Sequence, residues 1–125
     1  SKFYGLNCQH VLHVDIMMRY TRVEQGAYDV MVVYGTDGLN RRDNLPILKD
    51  DLHFFPDYYG TILVRSDLFE RFAEEAPGLK ETLQLLNGQF TDEKMSERTY
   101  RVDVEGGAVD DVARDFLISA GLLPA

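Results

Sequence analysis

Short β-branched runs dominate the first half of the chain, and helical stripes dominate the second. Residues 10–14 carry Val11, Leu12 and Val14, a compact run of strand type. Asp15 then predicts a helix start, because its side chain can accept from backbone N–H groups of the following turn. Ile16, Met17, Tyr20 and Val23 follow at helical spacing, and Gly26 supplies a left-handed stop. Residues 28–34 centre on Val30-Met31-Val32-Val33. A run so continuously apolar predicts a strand covered on both faces, as in a parallel sheet under helices. Residues 10–34 together predict a βαβ unit.

Gly35-Thr36-Asp37-Gly38 breaks this pattern, with glycines that make sharp backbone changes cheap, and Arg41-Arg42-Asp43-Asn44 follows as a polar loop. Two further strands are expected at residues 45–49 and 61–65, the second centred on Ile62, Leu63 and Val64. Between them, residues 50–60 are too irregular for a strand and too aromatic for an ordinary solvated loop. The remainder predicts four helices. Ser66 is the expected cap of the first, with Leu68, Phe69, Phe72 and Ala73 on one face and Pro77-Gly78 at its end. Leu79, Leu83 and Leu86 mark a second, stopped by Gly88. Thr91-Asp92-Glu93 starts a third with acidic residues favoured by the helix dipole. Val109, Val112, Ala113, Phe116, Leu117 and Ala120 form the stripe of a fourth, ended by Gly121. The expected class is α/β: a βαβ unit, a hinge, two further strands and about four C-terminal helices. So much helix over so few strands implies that partner strands are missing.

Composition narrows the function. The chain has 125 residues, 45% of them apolar, with a net charge of −8. That size suits one globular domain with a real core. The acidic balance argues against nucleic acid as a partner. One cysteine, Cys8, excludes an internal disulfide framework. No apolar run approaches the ~20 residues of a membrane-spanning helix. The opening Ser1-Lys2-Phe3-Tyr4 lacks the layout of a signal peptide.

Candidate chemistry is sparse. His10, His13 and Asp15 lack a clear third metal ligand, and Cys8 lacks a basic neighbour to lower its pKa. Both read better as structural or surface residues. Asp50-Asp51 reads as a solvated pair, and no phosphate loop, nucleophile elbow or zinc spacing occurs. No cofactor is called for. The aromatics say more. Tyr34 stands at the carboxyl end of an expected strand, where open α/β sheets place their ligands. Tyr58 and Tyr59 fall in the irregular aromatic loop. A tyrosine face attracts a cation, and a box of several rings desolvates a quaternary ammonium without needing a hydrogen bond from it. The plainer alternative is that these rings fill a core or pack a hinge.

Several ordered motifs carry a resemblance. Arg19-Tyr20, Val33-Tyr34-Gly35-Thr36-Asp37-Gly38 and Leu48-Lys49-Asp50-Asp51-Leu52-His53-Phe54-Phe55-Pro56-Asp57-Tyr58 are similar to the ABC-type glycine betaine/carnitine/choline-binding proteins. So are Leu86-Asn87-Gly88, Thr91-Asp92-Glu93-Lys94-Met95, Tyr100-Arg101-Val102-Asp103-Val104-Glu105-Gly106 and Val112-Ala113-Arg114-Asp115-Phe116-Leu117. The resemblance runs from about residue 5 onward and implies a type II periplasmic-binding-protein-like fold, present in part. It implies a two-lobed, non-enzymatic protein that closes on a quaternary amine held in an aromatic box. Matched box residues are Tyr34 and Tyr58, with Thr36 a further ligand-binding candidate and Gly35, Asp37 and Gly38 at the hinge. Asp57 stands where many relatives have a second proline.

Family members are about twice this length, so the resemblance covers a C-terminal half. It implies residues 1–34 as the end of lobe two, 35–38 as the crossover and 39–125 as the end of lobe one. The carboxylate-binding groups would lie upstream. The implied partners are a quaternary ammonium molecule and an ABC transporter permease. The implied location of the parent protein is extracytoplasmic, held by a lipid anchor or by fusion to the permease, and the missing leader then reads as truncation. Two other readings stand beside it. One is a small α/β interaction module prone to homo-oligomerisation or domain swapping through exposed strand edges. The other is a small hydrolase using His53 with Asp50 or Asp51.

Overall fold

The computed structural model describes residues 3–15 and 18–124. Six helices follow in order: α1 (Met18–Glu24), α2 (Gly38–Arg42), α3 (Leu68–Arg71), α4 (Leu79–Gln84), α5 (Asp92–Asp103) and α6 (Val109–Ser119). The expected stops are in place. Gly26, Gly88 and Gly121 all adopt left-handed φ near +70° just beyond α1, α4 and α6. Ile16 and Met17, expected on the apolar face of the first helix, lie outside the described residues.

The longest helix starts as its sequence dictates. The Thr91 hydroxyl accepts from the Lys94 amide at 3.2 Å, with Asp92 and Glu93 in the first turn. α5 and α6 form a hairpin whose core is Val112 and Phe116, both buried. Phe90 packs on Phe116 at 4.5 Å between centroids, and the Arg98 guanidinium sits 4.7 Å from the same ring. Burying one such ring stabilises by about 2–3 kcal/mol. Arg101 and Asp115 tie the helices at 2.7 Å, an exposed pair that solvent and salt screen to a small contribution.

Three expectations need correction. Among the described residues no β-ladder forms, so the strands expected at 10–14, 28–34, 45–49 and 61–65 are chain segments without strand pairing. Val30 and Val32 are exposed at 70% and 72% and Leu63 is also exposed, while Met31 and Val33 on the other face are only half-buried, so the cover on both faces expected of a central strand is missing. The reason is physical: a strand owes its stability to a neighbour's hydrogen bonds and to a layer over its side chains. The loop expected around Arg41 and Arg42 is helix α2 instead. It is a five-residue turn docked on α5, with Arg42 paired to Glu24 at 3.1 Å and to Asp43. Ser66 does not cap the next helix. α3 begins at Leu68 with Asp67 in the cap position, and the Asp67 carboxylate turns to Arg65 at 3.1 Å rather than to a backbone amide.

Candidate functional site

The segment from Tyr34 to Asn40 is held from two sides. From α1, the buried Tyr20 hydroxyl lies 2.8 Å from Asp37 Oδ2 and 3.0 Å from Asn40 Oδ1. Asn40, also buried, donates through Nδ2 to the Tyr34 carbonyl at 2.7 Å. The Asp37 amide donates to the same carbonyl at 3.1 Å. From α5, the Thr99 hydroxyl donates to the Thr36 carbonyl at 2.6 Å. Gly38 lies flat against α5, where a Cβ would meet the Tyr100 amide nitrogen at 2.5 Å. Burial, and then its bond to Asp37, push the Tyr20 hydroxyl well above the ordinary phenol range.

This changes the meaning of two glycines. Sequence alone assigns both Gly35 and Gly38 to conformational freedom. Gly38 is required by close approach, since no residue with a Cβ fits there without moving a helix backbone. Gly35 is exposed, and a Cβ added to it would meet nothing within 4 Å.

A second cluster organises the aromatic loop. Asp50 reads as a solvated acid in the sequence, yet it accepts from the Phe54 amide at 2.9 Å and the Phe55 amide at 2.8 Å. The Tyr4 hydroxyl donates to Asp50 and in turn accepts from the Leu52 amide at 3.0 Å. The Tyr4 bond and these amides hold the Asp50 carboxyl below the usual carboxylate range. Phe3 packs on Phe54 at 5.1 Å, and Phe54 on Phe55 at 5.0 Å. His53 takes a left-handed φ of +52° in the tight turn this produces. With both Asp50 oxygens engaged by loop amides, Asp50 organises structure here rather than activating a nucleophile.

The sequence-derived rings are not core filler. Tyr34 is 59% exposed and Tyr58 75%, and among the described residues no ring contact joins them. Thr36 and Asp37 are half-buried and engaged with α5 and with Tyr20 respectively. The residues missed by sequence reasoning are Asn40, Thr99, Tyr4 and the structural role of Asp50. Asn40 has only a weak local signal, a polar amide three residues after Asp37. Thr99 and Tyr4 have none, because their partners lie 63 and 46 positions away.

The family model of the substrate binding domain of the ABC-type glycine betaine transport system matches residues 3–119. The chain belongs to this family. The family consists of transporter binding components rather than enzymes, which sets aside the hydrolase reading, and it carries a periplasmic-binding-protein-like fold. Among similar proteins, the ergothioneine transport permease/ergothioneine binding protein EgtU of Helicobacter pylori is 32% identical over 97% of this chain. The carnitine transport binding protein OpuCC of Listeria monocytogenes is 32% identical over 94% of it. The glycine-betaine-binding protein of Pseudomonas aeruginosa is 31% identical over 98%. The chain spans 21%, 37% and 39% of the lengths of these three proteins. No helix among the described residues is long and apolar enough to cross a membrane.

Proposed function

We propose that this chain supplies the C-terminal part of the solute-binding component of an ABC transporter for quaternary amine osmolytes such as glycine betaine, choline or carnitine. The observation that carries this is the family match across residues 3–119, which takes in both tyrosines singled out by the sequence. Ergothioneine, carnitine and glycine betaine, named for the three relatives, all pair a trimethylammonium group with a carboxylate. A trimethylammonium donates no conventional hydrogen bond and is weakly hydrated. Aromatic faces therefore recognise it better than polar side chains do, at about 2 kcal/mol per desolvated ring. Tyr34 and Tyr58 present exposed rings suited to such walls, with Thr36 close to Tyr34 in sequence.

In this reading residues 1–34 end lobe two, 35–38 form the crossover with Gly35, Asp37 and Gly38, and 39–125 end lobe one. The exposed segments 28–34 and 61–65 then find their ladders in the remainder of a two-lobed protein. The permease is the protein partner. The complete protein works outside the cytoplasm, attached by a lipid anchor or by fusion to the permease.

Calorimetric titration of the complete binding protein with glycine betaine, choline and carnitine tests the assignment. Tyr34→Ala and Tyr58→Ala are each expected to weaken binding about 30-fold, the equivalent of one lost ring at about 2 kcal/mol. Unchanged affinity in both variants would remove these rings from the site. The isolated chain is expected to bind weakly or not at all, and tight saturable binding by it alone would overturn the two-lobed division. The exposed apolar segments favour a second reading, an interaction module that pairs with its own copies. Light scattering separates the two, since a clean monomer at high concentration opposes the module.

A further inference from the structure

We infer that Tyr20 and Asn40 are positioning residues for the Tyr34 ring, acting through the Tyr34 carbonyl, and this rests on the proposed role of Tyr34 as a wall of the cation site. Tyr34 is the last residue before the Gly35–Gly38 turn, so the orientation of its ring depends on how the peptide plane that follows it is held. Tyr34 is followed by Gly35, which is exposed and has nothing within 4 Å of where a Cβ would stand. The peptide plane between them is held by hydrogen bonds instead. Its carbonyl accepts from Asn40 Nδ2 at 2.7 Å and from the Asp37 amide at 3.1 Å.

Asn40 is 5% exposed and its amide is oriented by the Tyr20 hydroxyl, 3.0 Å from Oδ1. Tyr20 is 3% exposed, so the strut is anchored in the protein interior. The buried amide must turn Nδ2 to the Tyr34 carbonyl, because a flipped amide would set Oδ1 against that carbonyl, acceptor to acceptor. α1 also reaches the same segment through Arg19, whose guanidinium donates to the Val32 carbonyl. The chain before and after Tyr34 is therefore referenced to helices α1 and α2. The geometry makes the direction of the Tyr34 Cα–Cβ bond a property of the Tyr20–Asn40 pair.

A double-mutant cycle in the complete binding protein, read by calorimetry with glycine betaine, choline, carnitine and tetramethylammonium, tests this. Asn40→Ala is expected to weaken binding about 10-fold and Tyr20→Phe about 5-fold, the scale of one lost buried hydrogen bond. Combined with Tyr34→Ala, neither is expected to weaken binding beyond Tyr34→Ala alone. A residue that merely supports the fold would give losses that multiply, and multiplicative losses overturn the inference. Tyr20→Phe keeps the buried ring, so it serves where Asn40→Ala does not fold. If Tyr34→Ala weakens binding while Tyr20→Phe and Asn40→Ala leave it unchanged, the positioning role fails and the ligand site stands. If Tyr34→Ala itself changes nothing, the site assignment fails and the positioning role with it.

Discussion

Replacing Gly38 by Ala tests whether the Tyr34–Asn40 segment is clamped or free. The added Cβ would lie 2.5 Å from the Tyr100 amide nitrogen, 2.6 Å from its Cα and 2.7 Å from the Thr99 carbonyl carbon. Ordinary contact needs about 3.5–4.0 Å, so α2 and α5 must separate by roughly 1 Å. All three neighbours are backbone atoms of a 12-residue helix, and no side chain can rotate out of the way. Overpacking costs about 1–3 kcal/mol, and backbone neighbours place Gly38→Ala near the upper end. Alanine recovers at most about 1 kcal/mol of helix propensity. The net loss is about 2 kcal/mol, with the 2.6 Å bond from Thr99 to the Thr36 carbonyl stretched first. Followed by far-ultraviolet circular dichroism in urea, a slope of about 2 kcal/mol/M turns this into a midpoint about 1 M lower. Gly35→Ala is the control, expected to stay within about 0.5 kcal/mol because nothing lies within 4 Å of its Cβ position. A Gly38→Ala midpoint equal to wild type, or a Gly35→Ala midpoint equally lowered, would refute the clamp.

Three further outcomes follow from the same geometry. Asp50 has a folded-state pKa lowered first by the Tyr4 hydroxyl, so its contribution is present above the ordinary carboxylate pKa and lost as pH falls through the lowered value. Exchange protection of the Phe54 and Phe55 amides should fall with it on acidification, and protection that survives full protonation of Asp50 refutes the role. Tyr20 has a raised folded-state pKa, caused first by burial, so its contribution is fully present below about pH 10 and lost above. Stability of Tyr20→Phe should therefore decline less steeply above that pH than wild type, and equal alkaline slopes in denaturant titrations count against it. Phe116→Ala removes the ring that Phe90 and Arg98 cover and should cost about 3 kcal/mol. A thermal midpoint unchanged by Phe116→Ala would show that the α5–α6 hairpin does not depend on this ring.

Local signals were legible wherever a residue acts on its own neighbours. Thr91 with Asp92 and Glu93 marked the start of α5, the stripe from Val109 to Ala120 marked α6, and three glycines marked helix ends. Each rests on backbone groups within a few positions, which a sequence displays directly. Tyr34 and Tyr58 drew attention by position alone, the first at the end of an expected strand before a glycine-marked break and the second in an irregular aromatic loop, and the structure leaves both rings exposed.

The sequence by itself determined helices α1, α4, α5 and α6 with their glycine stops, and the family. Tertiary structure alone decided what holds those residues. It replaced the expected loop around Arg41 and Arg42 with a helix docked on α5, packed Gly38 against the backbone of α5, and turned Asp50 from a solvated acid into the organiser of the aromatic loop. It also left the β-branched segments without ladders. The physical reason is common to all four. Strand pairing, close backbone approach and buried hydrogen bonds depend on partners tens of residues away, or beyond the chain, and periodicity carries no record of them.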